Sequence, residues 1–508
     1  MKVFLIRGPR YYWPFINEYD NFLLPQSLAC LAAVLKRAGI DVRVIDCAPI
    51  KMGWESLGRL LREEKPDIVG IGDSESLYAH EAVRVLRVAR EANPGVITVA
   101  GGAHFSNLIQ ESLQNFPIDF IVRGEGEYTL LDLIREIEKA SPDFNNVRGI
   151  AFRQGDKIVE TPPRPLIENL DELPLPAYEL MPMQGYGRAK FLFSPGGITI
   201  HHSRGCIDRC KFCVWWVQMA ERRAENGKVN IYPRWRTKSV RRTIEEIKLL
   251  YHKYNKRFLV FVDDSWNIDQ GWNEEFAESL MNENIKLKWF AFMRADLILR
   301  DEKSGIFKKL VDSGLTHISI GAERASDEEL KGIGKKCYSS DMIKECLHIL
   351  KNKYPQVFRQ ITFIVGIREE TRDSILNQVK YAKEIAADYP AFHPLTPVPG
   401  TEAWREAKEK GWLEVEDFSC YDWNTPVMSS KYLSREEIGD LVYLANKEFI
   451  SLPWIIKGIF SPFRAKRNIY IWWLLVVMSI FIYSVKRFIN PFRLKEYTRL
   501  VKPGWYEN

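Results

Sequence analysis

The sequence predicts an α/β protein with two successive sheets and a helical tail. Short apolar runs rich in branched residues alternate with longer amphipathic stretches through residues 1–140. The same alternation restarts near Gly197 and runs through six units to about Lys410, whereas residues 411–508 lack it. These patterns indicate an N-terminal doubly wound parallel sheet, a partial (β/α)6 barrel and a helical C-terminal tail.

Five buried strands are predicted in the first domain, residues 1–140, because each run is short and apolar. One intervening helix is predicted over Pro25–Ala38, where Leu28, Leu31, Ala32 and Leu35 share a face and Gly39 ends the helix. The predicted strands are Val3–Ile6, Val42–Ile45, Ile68–Ile71, Val96–Ala100 and Phe120–Val122.

Glycines follow three of these strands, where doubly wound sheets bind their ligands. They occur in Gly70-Ile71-Gly72-Asp73, Gly101-Gly102-Ala103-His104 and Gly124-Glu125-Gly126-Glu127. Such glycines either let backbone approach a large ligand or form tight turns. The first strand is not followed by G-x-G-x-x-G, so a dinucleotide is not favoured.

Residues 141–195 are predicted to be a connector. Val147–Phe152 and Ile158-Val159 indicate a small hairpin, and prolines at 162, 163, 165, 174 and 176 favour an extended path between domains.

The second domain, residues 196–410, is predicted to be an open partial barrel, since six units are too few to close an eight-stranded one. Ser239 is the predicted N-cap of a helix with Val240, Ile244, Ile247 and Tyr251 on one face. The six predicted strands are Ile198–His202, Phe258–Val262, Lys288–Phe292, Thr316–Ile320, Gln360–Val365 and Ala391–Leu395.

Three cysteines, Cys206, Cys210 and Cys213, follow the first of these strands in the pattern C-x3-C-x2-C. Thiolates ligate soft metals. Three ligands leave one iron of an iron-sulfur cluster open to a substrate, whereas a structural zinc site requires a fourth ligand. His201 or His202 could complete such a zinc site, so both alternatives remain open at this stage.

The later strand ends carry residues suited to chemistry. Asp263-Asp264 ends the second strand, Arg294-Ala295-Asp296 follows the third, and Gly321-Ala322-Glu323 ends the fourth. A carboxylate at such a position binds a ligand or caps the next helix.

The cysteine loop, with Phe212 before its third cysteine, resembles the cluster loop of radical S-adenosylmethionine enzymes. The resemblance implies a 4Fe-4S cluster on Cys206, Cys210 and Cys213 whose open iron binds S-adenosylmethionine. It implies further S-adenosylmethionine contacts by a set of residues along the barrel. These are Phe212, Asp263, Asp264, Glu323, Val398 and Pro399.

Residues 1–140 resemble the cobalamin-binding domain that precedes the radical domain in one large subgroup of this family. The landmarks are Pro25-Gln26-Ser27-Leu28, Gly101-Gly102 and Gly124-Glu125-Gly126. The resemblance implies that these glycines and Glu125 contact cobalamin. The D-x-H-x-x-G motif that supplies a histidine to cobalt elsewhere is absent from the sequence.

The resemblance implies an enzyme in which a 5′-deoxyadenosyl radical abstracts hydrogen from an unactivated carbon of an apolar or lipid-like small molecule. C-methylation is the expected outcome, with the cobalamin-assisted oxidative cyclase of bacteriochlorophyll synthesis as the alternative. A flavodoxin or ferredoxin would supply the electron. A transfer-RNA methylthiotransferase should have three further clustered cysteines near its N-terminus, where only Cys30 and Cys47 occur. A non-enzymatic iron-sulfur or cobalamin carrier would not need the strand-end carboxylates.

The net charge and the cysteine content limit the classes of partner and the location of the protein. The net charge is +6, but residues 451–508 carry +8, so the main body is slightly acidic and a nucleic-acid partner is not expected. Five scattered cysteines indicate no disulfide framework, and the apolar run after Met1 is too short for a signal peptide. We therefore expect a cytoplasmic protein.

The tail, residues 411–508, is expected to contact a membrane. Residues 469–485 contain no charge, have aromatic residues near both ends and are flanked by basic pairs. Seventeen residues are slightly short for a spanning helix, so an interfacial or re-entrant segment fits at least as well. An ordinary buried helix is the alternative.

Overall fold

The structure, a computed structural model, describes residues 1–9, 23–72, 76–187, 196–225, 228–336 and 339–489. The chain forms two compact units. The first comprises residues 1–186, 217–232 and 479–508, and the second comprises residues 187–216 and 233–478. The predicted boundaries at 140, 195 and 410 remain predictions. Asp73 and Cys337 lie outside the described residues.

The first unit contains a seven-stranded sheet in the order β2-β1-β3-β4-β5-β6-β7. The first five strands are parallel, as the sequence predicts, and each predicted core run overlaps a strand, although Val96 precedes β4. The strands are β1 Lys2–Arg7, β2 Asp41–Asp46, β3 Ile68–Gly72, β4 Ile97–Gly101, β5 Phe120–Val122, β6 Ile150–Gln154 and β7 Lys157–Glu160.

The hairpin predicted in the connector is part of this sheet. Its first strand, β6, pairs antiparallel with β5, and β7 pairs with β6. The sequence indicated the hairpin but not its pairing, because the alternation of a two-stranded ribbon does not show which edge it extends.

Six helices cover the faces of the first sheet. The predicted helix over Pro25–Ala38 is found as α1, and Gly39 follows it with a φ of 81°. The core beneath the helices is formed by strand residues such as Phe4, Ile6 and Val69. The helices are α1 Gln26–Arg37, α2 Trp54–Glu64, α3 Ala79–Ala92, α4 Ala103–Asn107, α5 Ile109–Asn115 and α6 Gly126–Ile137.

The second unit contains a parallel six-stranded sheet in the order β17-β16-β15-β14-β13-β8, which fits the predicted six units. A short antiparallel pair of this unit, β9 with β12, lies outside the sheet, whereas the pair β10 with β11 belongs to the first unit. The remaining strands are β8 Gly197–Ile200, β9 Ser203–Gly205, β10 Glu221–Glu225, β11 Lys228–Tyr232, β12 Trp235–Thr237, β13 Phe258–Phe261, β14 Lys288–Phe292, β15 Leu315–Glu323, β16 Phe358–Val365 and β17 Tyr389–Pro394.

The helices from residue 214 onward follow the strands and then form the tail. They are α7 Val214–Gln218, α8 Val240–His252, α9 Gln270–Asn282, α10 Ala295–Lys303, α11 Ile306–Asp312, α12 Asp327–Gly332, α13 Ser340–Lys353, α14 Arg372–Glu384, α15 Glu402–Glu409, α16 Arg435–Phe449, α17 Leu452–Ile459 and α18 Arg464–Ile489.

Helix α8 begins as predicted, because the Ser239 side chain accepts a hydrogen bond from the Arg242 amide. Val240, Ile244 and Ile247 are buried, and Leu250 completes this face instead of Tyr251. Tyr251 stacks under the Arg257 guanidinium at 3.7 Å, which draws its ring to the edge of the helix.

The tail packs against the amino ends of β16 and β17. Phe358, the first residue of β16, packs with Ile469 and Tyr470 of α18. Gly458 of α17 permits this packing, since a Cβ there would lie 2.0 Å from the Tyr470 ring. The tail therefore covers the end of the sheet opposite to the cysteine loop.

Helix α16 protects the exposed edge strand β17. The Asn446 amide accepts a hydrogen bond from Phe392 N at 3.0 Å and donates one to Phe392 O at 2.8 Å. One side chain thus satisfies a peptide group that would otherwise be open to another strand. Within the described part of the chain, no helix combines the length and apolar character needed to cross a membrane.

Candidate active site

The cysteine loop lies at the carboxyl ends of the second sheet. It follows β9, which pairs with β12, and Gly205 enters the loop with a φ of 86° that favours glycine. Helix α7 starts directly after Cys213. In α/β barrels this end of the sheet carries the active site.

Several elements of the second unit hold the loop in place. Asp208 forms an ion pair with the buried Arg294, which follows β14. The Lys211 amide donates to Ile333 O at 3.0 Å, and Lys211 O accepts from the Ala403 amide at 3.0 Å. The Trp216 indole donates to Cys210 O at 2.9 Å. The loop is therefore positioned by rigid neighbours before any ligand binds.

The three thiols lie close enough together to affect one another's ionisation. Burial raises the pKa of Cys210 and of Cys213 to about 12, Cys213 adds to the rise at Cys210, and Cys206 adds to the rise at Cys213. Burial also raises the pKa of Cys206. Thiols with raised pKa values bind metal with release of their protons, and the bound metal stabilises the thiolates.

A cubane cluster fits this donor set. Among the described residues, no group of three or more His, Cys, Asp or Glu side chains converges on one point as the ligands of a single ion would. Each cysteine of a cubane binds a different iron, so its ligands do not need to converge. The zinc alternative is not supported by His202, whose two ring nitrogens lie 3.0 Å from Thr237 Oγ1 and 3.2 Å from Trp266 O.

The two aspartates after β13 have different environments. Asp263 Oδ1 accepts from the His202 amide at 3.0 Å and from Ser203 N and Oγ at 2.6 Å, which ties β13 to β9. Asp263 Oδ2 is buried without a hydrogen-bond partner. Asp264 accepts from the Gly205 backbone and lies near Cys206 and Cys213. Burial raises the pKa of each carboxyl to about 7.

An orphaned buried carboxylate oxygen costs free energy unless a ligand pairs with it. An ammonium group beside Asp263 and Asp264 would supply donors to both carboxylates and favour their charged forms. The arrangement therefore fits a cationic ligand next to the cysteine loop.

Glu323, at the end of β15, is held in an unusual conformation. Its φ is 63°, in the left-handed region that non-glycine residues rarely adopt, and its Oε1 lies 2.8 Å from Lys335 Nζ. Lys335 also donates to Gly321 O at 2.7 Å. A Cβ at Gly321 would clash with Glu323 Oε1, so a larger residue there would displace the Glu323 side chain from Lys335.

Strained backbone that a salt bridge maintains is a common feature of binding sites. Lys335 also lies near Cys210, whose pKa it lowers. Sequence reasoning missed Lys335. The only sequence signal was a cation shortly after Glu323, and its position depends on the length of α12.

The remaining predicted residues occupy the same end of the sheet. Val398 and Pro399, in the loop after β17, are buried, and Thr401 fixes the loop by donating from its hydroxyl to Val398 O at 2.7 Å. Phe212 is half-buried within the cysteine loop. The structure brings the cysteines, Asp264 and Glu323 into one electrostatic environment. For Val398, Pro399 and Phe212, a contact with a ligand stays a prediction.

Two large apolar side chains are exposed at this end of the sheet. Val262 and Phe292 follow β13 and end β14, and they are 39% and 41% exposed. The register pairs Val260 with Phe290, so Val262 and Phe292 lie side by side, two residues further on. The Phe290 ring packs on Phe292 at 4.8 Å.

This pair faces away from the helices. On the opposite face of the strands, Phe261 and Trp289 pack against Phe276 of α9. Val262 and Phe292 therefore form an apolar surface on the open face of the sheet.

The histidines of the second sheet are mostly structural. His317 packs between Phe290 and Phe358 and its Nε2 lies 3.2 Å from Gln360 Oε1. His393 Nδ1 donates to Trp423 O at 3.0 Å, and burial lowers its pKa. Burial lowers the pKa of His202 to about 3, so its ring stays neutral.

The first sheet has the strand order of a flavodoxin-like fold, in which the order reverses between β1 and β3. Ligands bind outside the carboxyl ends at such a switch point. Gly101 ends β4, Gly102 follows with a φ of 93°, and Gly124 follows β5 with a φ of 73°. Their positive φ values account for glycine at 102 and 124 as turn residues.

Glu125 and Gly126 have contacts within the first unit. The buried Glu125 carboxylate accepts from the Ile167 amide at 2.7 Å, so it fastens the connector to the turn. A Cβ at Gly126 would lie 3.1 Å from Leu31. His104 is buried, with its Nδ1 3.0 Å from Ser76 Oγ. The role of these residues toward cobalamin stays a prediction.

Two family models match the chain, one in the region of each sheet. The B12 binding domain matches residues 12–134, and the radical SAM superfamily matches residues 200–382. The order of the two matches is the order of the two sheets.

Two curated relatives match over most of their length. An uncharacterized methyltransferase of Pyrococcus horikoshii is 31% identical over 86% of this chain and 90% of its own. The anaerobic magnesium-protoporphyrin IX monomethyl ester cyclase of Rubrivivax gelatinosus is 29% identical over 84% of this chain and 75% of its own.

The chain belongs to the radical S-adenosylmethionine enzymes that carry a B12-binding domain. Within them it groups with the methyltransferases and with the anaerobic cyclase, so it is an enzyme that uses a 4Fe-4S cluster, S-adenosylmethionine and cobalamin.

The fold of a solved family member agrees. The radical S-adenosylmethionine methyltransferase TsrM of Kitasatospora setae, solved with cobalamin and a 4Fe-4S cluster bound, superposes with a TM-score of 0.68 at 14% identity. The match covers 95% of this chain and 100% of that one. This likeness confirms the predicted fold class, and the B12-binding and radical SAM matches confirm the predicted cofactors.

Proposed function

We propose that the enzyme transfers a methyl group to an unactivated carbon of an apolar small molecule. The observation that carries the choice of substrate is the apolar pair Val262 and Phe292, exposed at the strand ends beside Asp263 and the cysteine loop. A polar substrate would leave this pair in contact with water or with unpaired polar groups. An apolar substrate covers it, at a gain of about 1.5–3 kcal/mol for each large side chain fully buried.

The chain's own residues bind and orient the reactants. In this proposal Cys206, Cys210 and Cys213 hold the cluster, and Asp263 and Asp264 accept from the amino group of S-adenosylmethionine. Glu323, fixed by Lys335, binds the ribose, while Phe212, Val398 and Pro399 enclose the nucleoside. Gly101, Gly102, Gly124, Glu125 and Gly126 contact cobalamin. The bound cofactors supply the radical and the methyl group, and the protein excludes water from them.

The test is an anaerobic assay of the reconstituted enzyme with S-adenosylmethionine labelled at its methyl group. A polycyclic isoprenoid dispersed in detergent serves as probe, and labelled product is measured beside 5′-deoxyadenosine. Phe292→Ser should lower methyl transfer at least about tenfold and keep 5′-deoxyadenosine formation, because only apolar substrate contact is lost. Met281→Ser on α9 is the matched control, since Met281 is 40% exposed against 41% for Phe292. Equal loss in both variants would refute the assignment.

The alternative is an oxidative cyclisation of a tetrapyrrole, which the match to the anaerobic cyclase favours. The same assay distinguishes the two with magnesium-protoporphyrin IX monomethyl ester as a second probe. Formation of an oxidised ring without a transferred label would support the cyclase and overturn methylation.

We also propose that a flavodoxin or ferredoxin reduces the cluster. Ile207 of the cysteine loop and Trp215 of α7 are among the exposed large apolar residues, so a protein surface can approach the cluster. Reduction of the reconstituted cluster by reduced flavodoxin, followed by electron paramagnetic resonance, tests this. Ile207→Glu should slow reduction by flavodoxin but not by dithionite.

We propose, finally, that the tail contacts a membrane surface, as its basic excess indicates. No Asp or Glu occurs from residue 451 to residue 489, whereas six Lys or Arg do. Basic residues near an anionic surface each contribute about 1 kcal/mol to binding.

A further inference from the structure

The short helix α17 carries one charged residue, Lys457, and is otherwise apolar, although it lies at the surface. Trp454, Ile455 and Gly458 point inward, where Ile455 and Gly458 are buried. Leu452, Ile456 and Phe460 recur every four residues, which places them on one face of the helix, and they are 57%, 51% and 80% exposed. A helix in water normally presents polar residues on its outer face, so the outer face of α17 fits an apolar partner.

The surroundings of this face are basic. Lys457 is exposed next to Ile456, and Arg464 is exposed at the start of α18. Arg467 is oriented by hydrogen bonds from its Nη1 to Ser461 O at 2.9 Å and Pro462 O at 3.1 Å. Helix α18 adds Ile471 and Met478, which are 40% and 49% exposed and two turns apart. Apolar side chains with basic neighbours are typical of helices that lie in the plane of a membrane surface.

We infer that the outer face of α17, defined by Leu452, Ile456 and Phe460, docks on an anionic lipid bilayer. This rests on the proposed membrane contact of the tail and specifies its surface and its lipid. The three side chains enter the boundary between headgroups and acyl chains, while Lys457, Arg464 and Arg467 lie at the level of the lipid phosphates. Charge complementarity favours a bilayer over an acidic protein, since the face itself carries only apolar groups.

The position of α17 also sets the orientation of the second unit. Because Trp454 donates to Asp388 O at 3.0 Å, just before β17 begins, α17 is fixed to the amino end of the sheet. The cysteine loop lies at the opposite, carboxyl end. Docking through α17 therefore turns the active site away from the bilayer, and binding to lipid and turnover become separable.

The test is flotation of the full-length reconstituted enzyme with vesicles. Vesicles of phosphatidylglycerol and phosphatidylcholine should bind the enzyme, and vesicles of phosphatidylcholine alone should bind it at least about tenfold less. Ile456→Glu with Phe460→Glu should weaken binding to the anionic vesicles at least about tenfold, because two large apolar side chains no longer enter the bilayer. Lys457→Gln with Arg464→Gln should weaken it mainly at low salt.

Leu376→Glu is the matched control, since Leu376 is 49% exposed against 51% for Ile456 but lies on α14. The inference would be overturned if the variant with Ile456→Glu and Phe460→Glu bound anionic vesicles as well as the Leu376→Glu control. It would also be overturned if the unaltered enzyme did not bind. A concentration-dependent dimer abolished by Ile456→Glu in sedimentation would also overturn it in favour of a second copy of the chain. Formation of 5′-deoxyadenosine in detergent should stay unchanged in every variant, so its loss would concern the proposed function and not this surface.

Discussion

The two ends of the second sheet satisfy their charged groups in different ways. At the amino end, the Asp388 carboxylate receives both Arg359 Nε and Nη2 at 2.9 Å and Lys466 Nζ at 2.9 and 3.1 Å. The Arg359 amide adds a further donor at 2.9 Å. These bonds link β16 and α18 to the residue before β17, so both Asp388 carboxylate oxygens are paired, although Arg359 Nη1 is buried without a partner.

At the carboxyl end, charged groups are left in costly states. Asp263 Oδ2 is buried without a partner, and Glu323 is held at a φ of 63°. Val262 and Phe292 expose apolar surface instead of burying it. The difference teaches that stability is provided at the amino end and that the carboxyl end is arranged for ligands, a division common in α/β barrels.

The largest expected effect separates the cysteine loop from the other thiols. Replacing Cys206, Cys210 or Cys213 by Ala should abolish formation of 5′-deoxyadenosine, because a missing ligand removes the cluster or its open iron. Iron and sulfide analysis with the cleavage assay measures this. Cys346→Ala, at a fully buried thiol of α13, should keep both cluster and cleavage. Retained cleavage in any of the three loop variants would contradict the assignment.

The second-largest expected effect is a loss of stability without a loss of catalytic activity. Asp388→Asn should lower the free energy of unfolding by about 3–5 kcal/mol, since the buried Arg359 and Lys466 lose their shared counter-charge. Folded enzyme should still cleave S-adenosylmethionine at an unchanged rate. Urea unfolding and cleavage per mole of cluster are measured together. Asp312→Asn, in an exposed pair with Lys308, should change stability by less than about 1 kcal/mol. A loss of S-adenosylmethionine cleavage per mole of cluster in Asp388→Asn would contradict the division of roles between the two ends of the sheet.

The converse is expected at Glu323. Glu323→Gln should reduce cleavage by about 10- to 100-fold, because a charge that orients the cofactor is lost. Its free energy of unfolding should fall by less than that of Asp388→Asn, because one buried cation, Lys335, loses its counter-charge instead of two, and the amide oxygen of Gln can still accept from it. Glu329→Gln, which affects an ion pair with Arg324, is the control and should leave cleavage unaltered. A large loss of stability without a change in cleavage would assign Glu323 a structural role.

Much of this division could be predicted from the sequence. Each of the six core runs of the second domain became a strand, and the cysteine spacing located the loop, because both signals are local. The Asp388 network could not be predicted, since it joins residues far apart in the chain, Arg359 and Lys466. The different partners of Asp263 and Asp264 were also hidden, because those partners, His202, Ser203 and Gly205, lie far away in the chain.

Other features depended on tertiary packing. The exposed pair Val262 and Phe292 resembled ordinary core residues in the sequence, and only the register of β13 with β14 places them together. The tail could be recognised in the sequence by its composition. The outer face of α17 could not, because it depends on which side chains of that helix pack inward. The antiparallel pairing of β6 with β5 is likewise not encoded by any periodicity.

The smallest expected effect extends the comparison to the first sheet, where His104 follows β4 at its carboxyl end. Burial lowers the pKa of His104 to about 4 from 6.5, so the folded state binds fewer protons than the unfolded state between these pH values. Its contribution to stability is therefore full above pH 6.5 and is lost as the pH falls, by about 1.4 kcal/mol per unit. His104→Asn should flatten this loss. Hydrogen exchange of the segment 97–107, between pH 6.5 and pH 5 and corrected for intrinsic exchange, measures it, with the exposed His252→Asn as control. The same pH dependence of exchange in the unaltered enzyme, His104→Asn and His252→Asn would contradict this prediction. Burial of His104 would then cost no stability, unlike the buried charged groups at the carboxyl end of the second sheet.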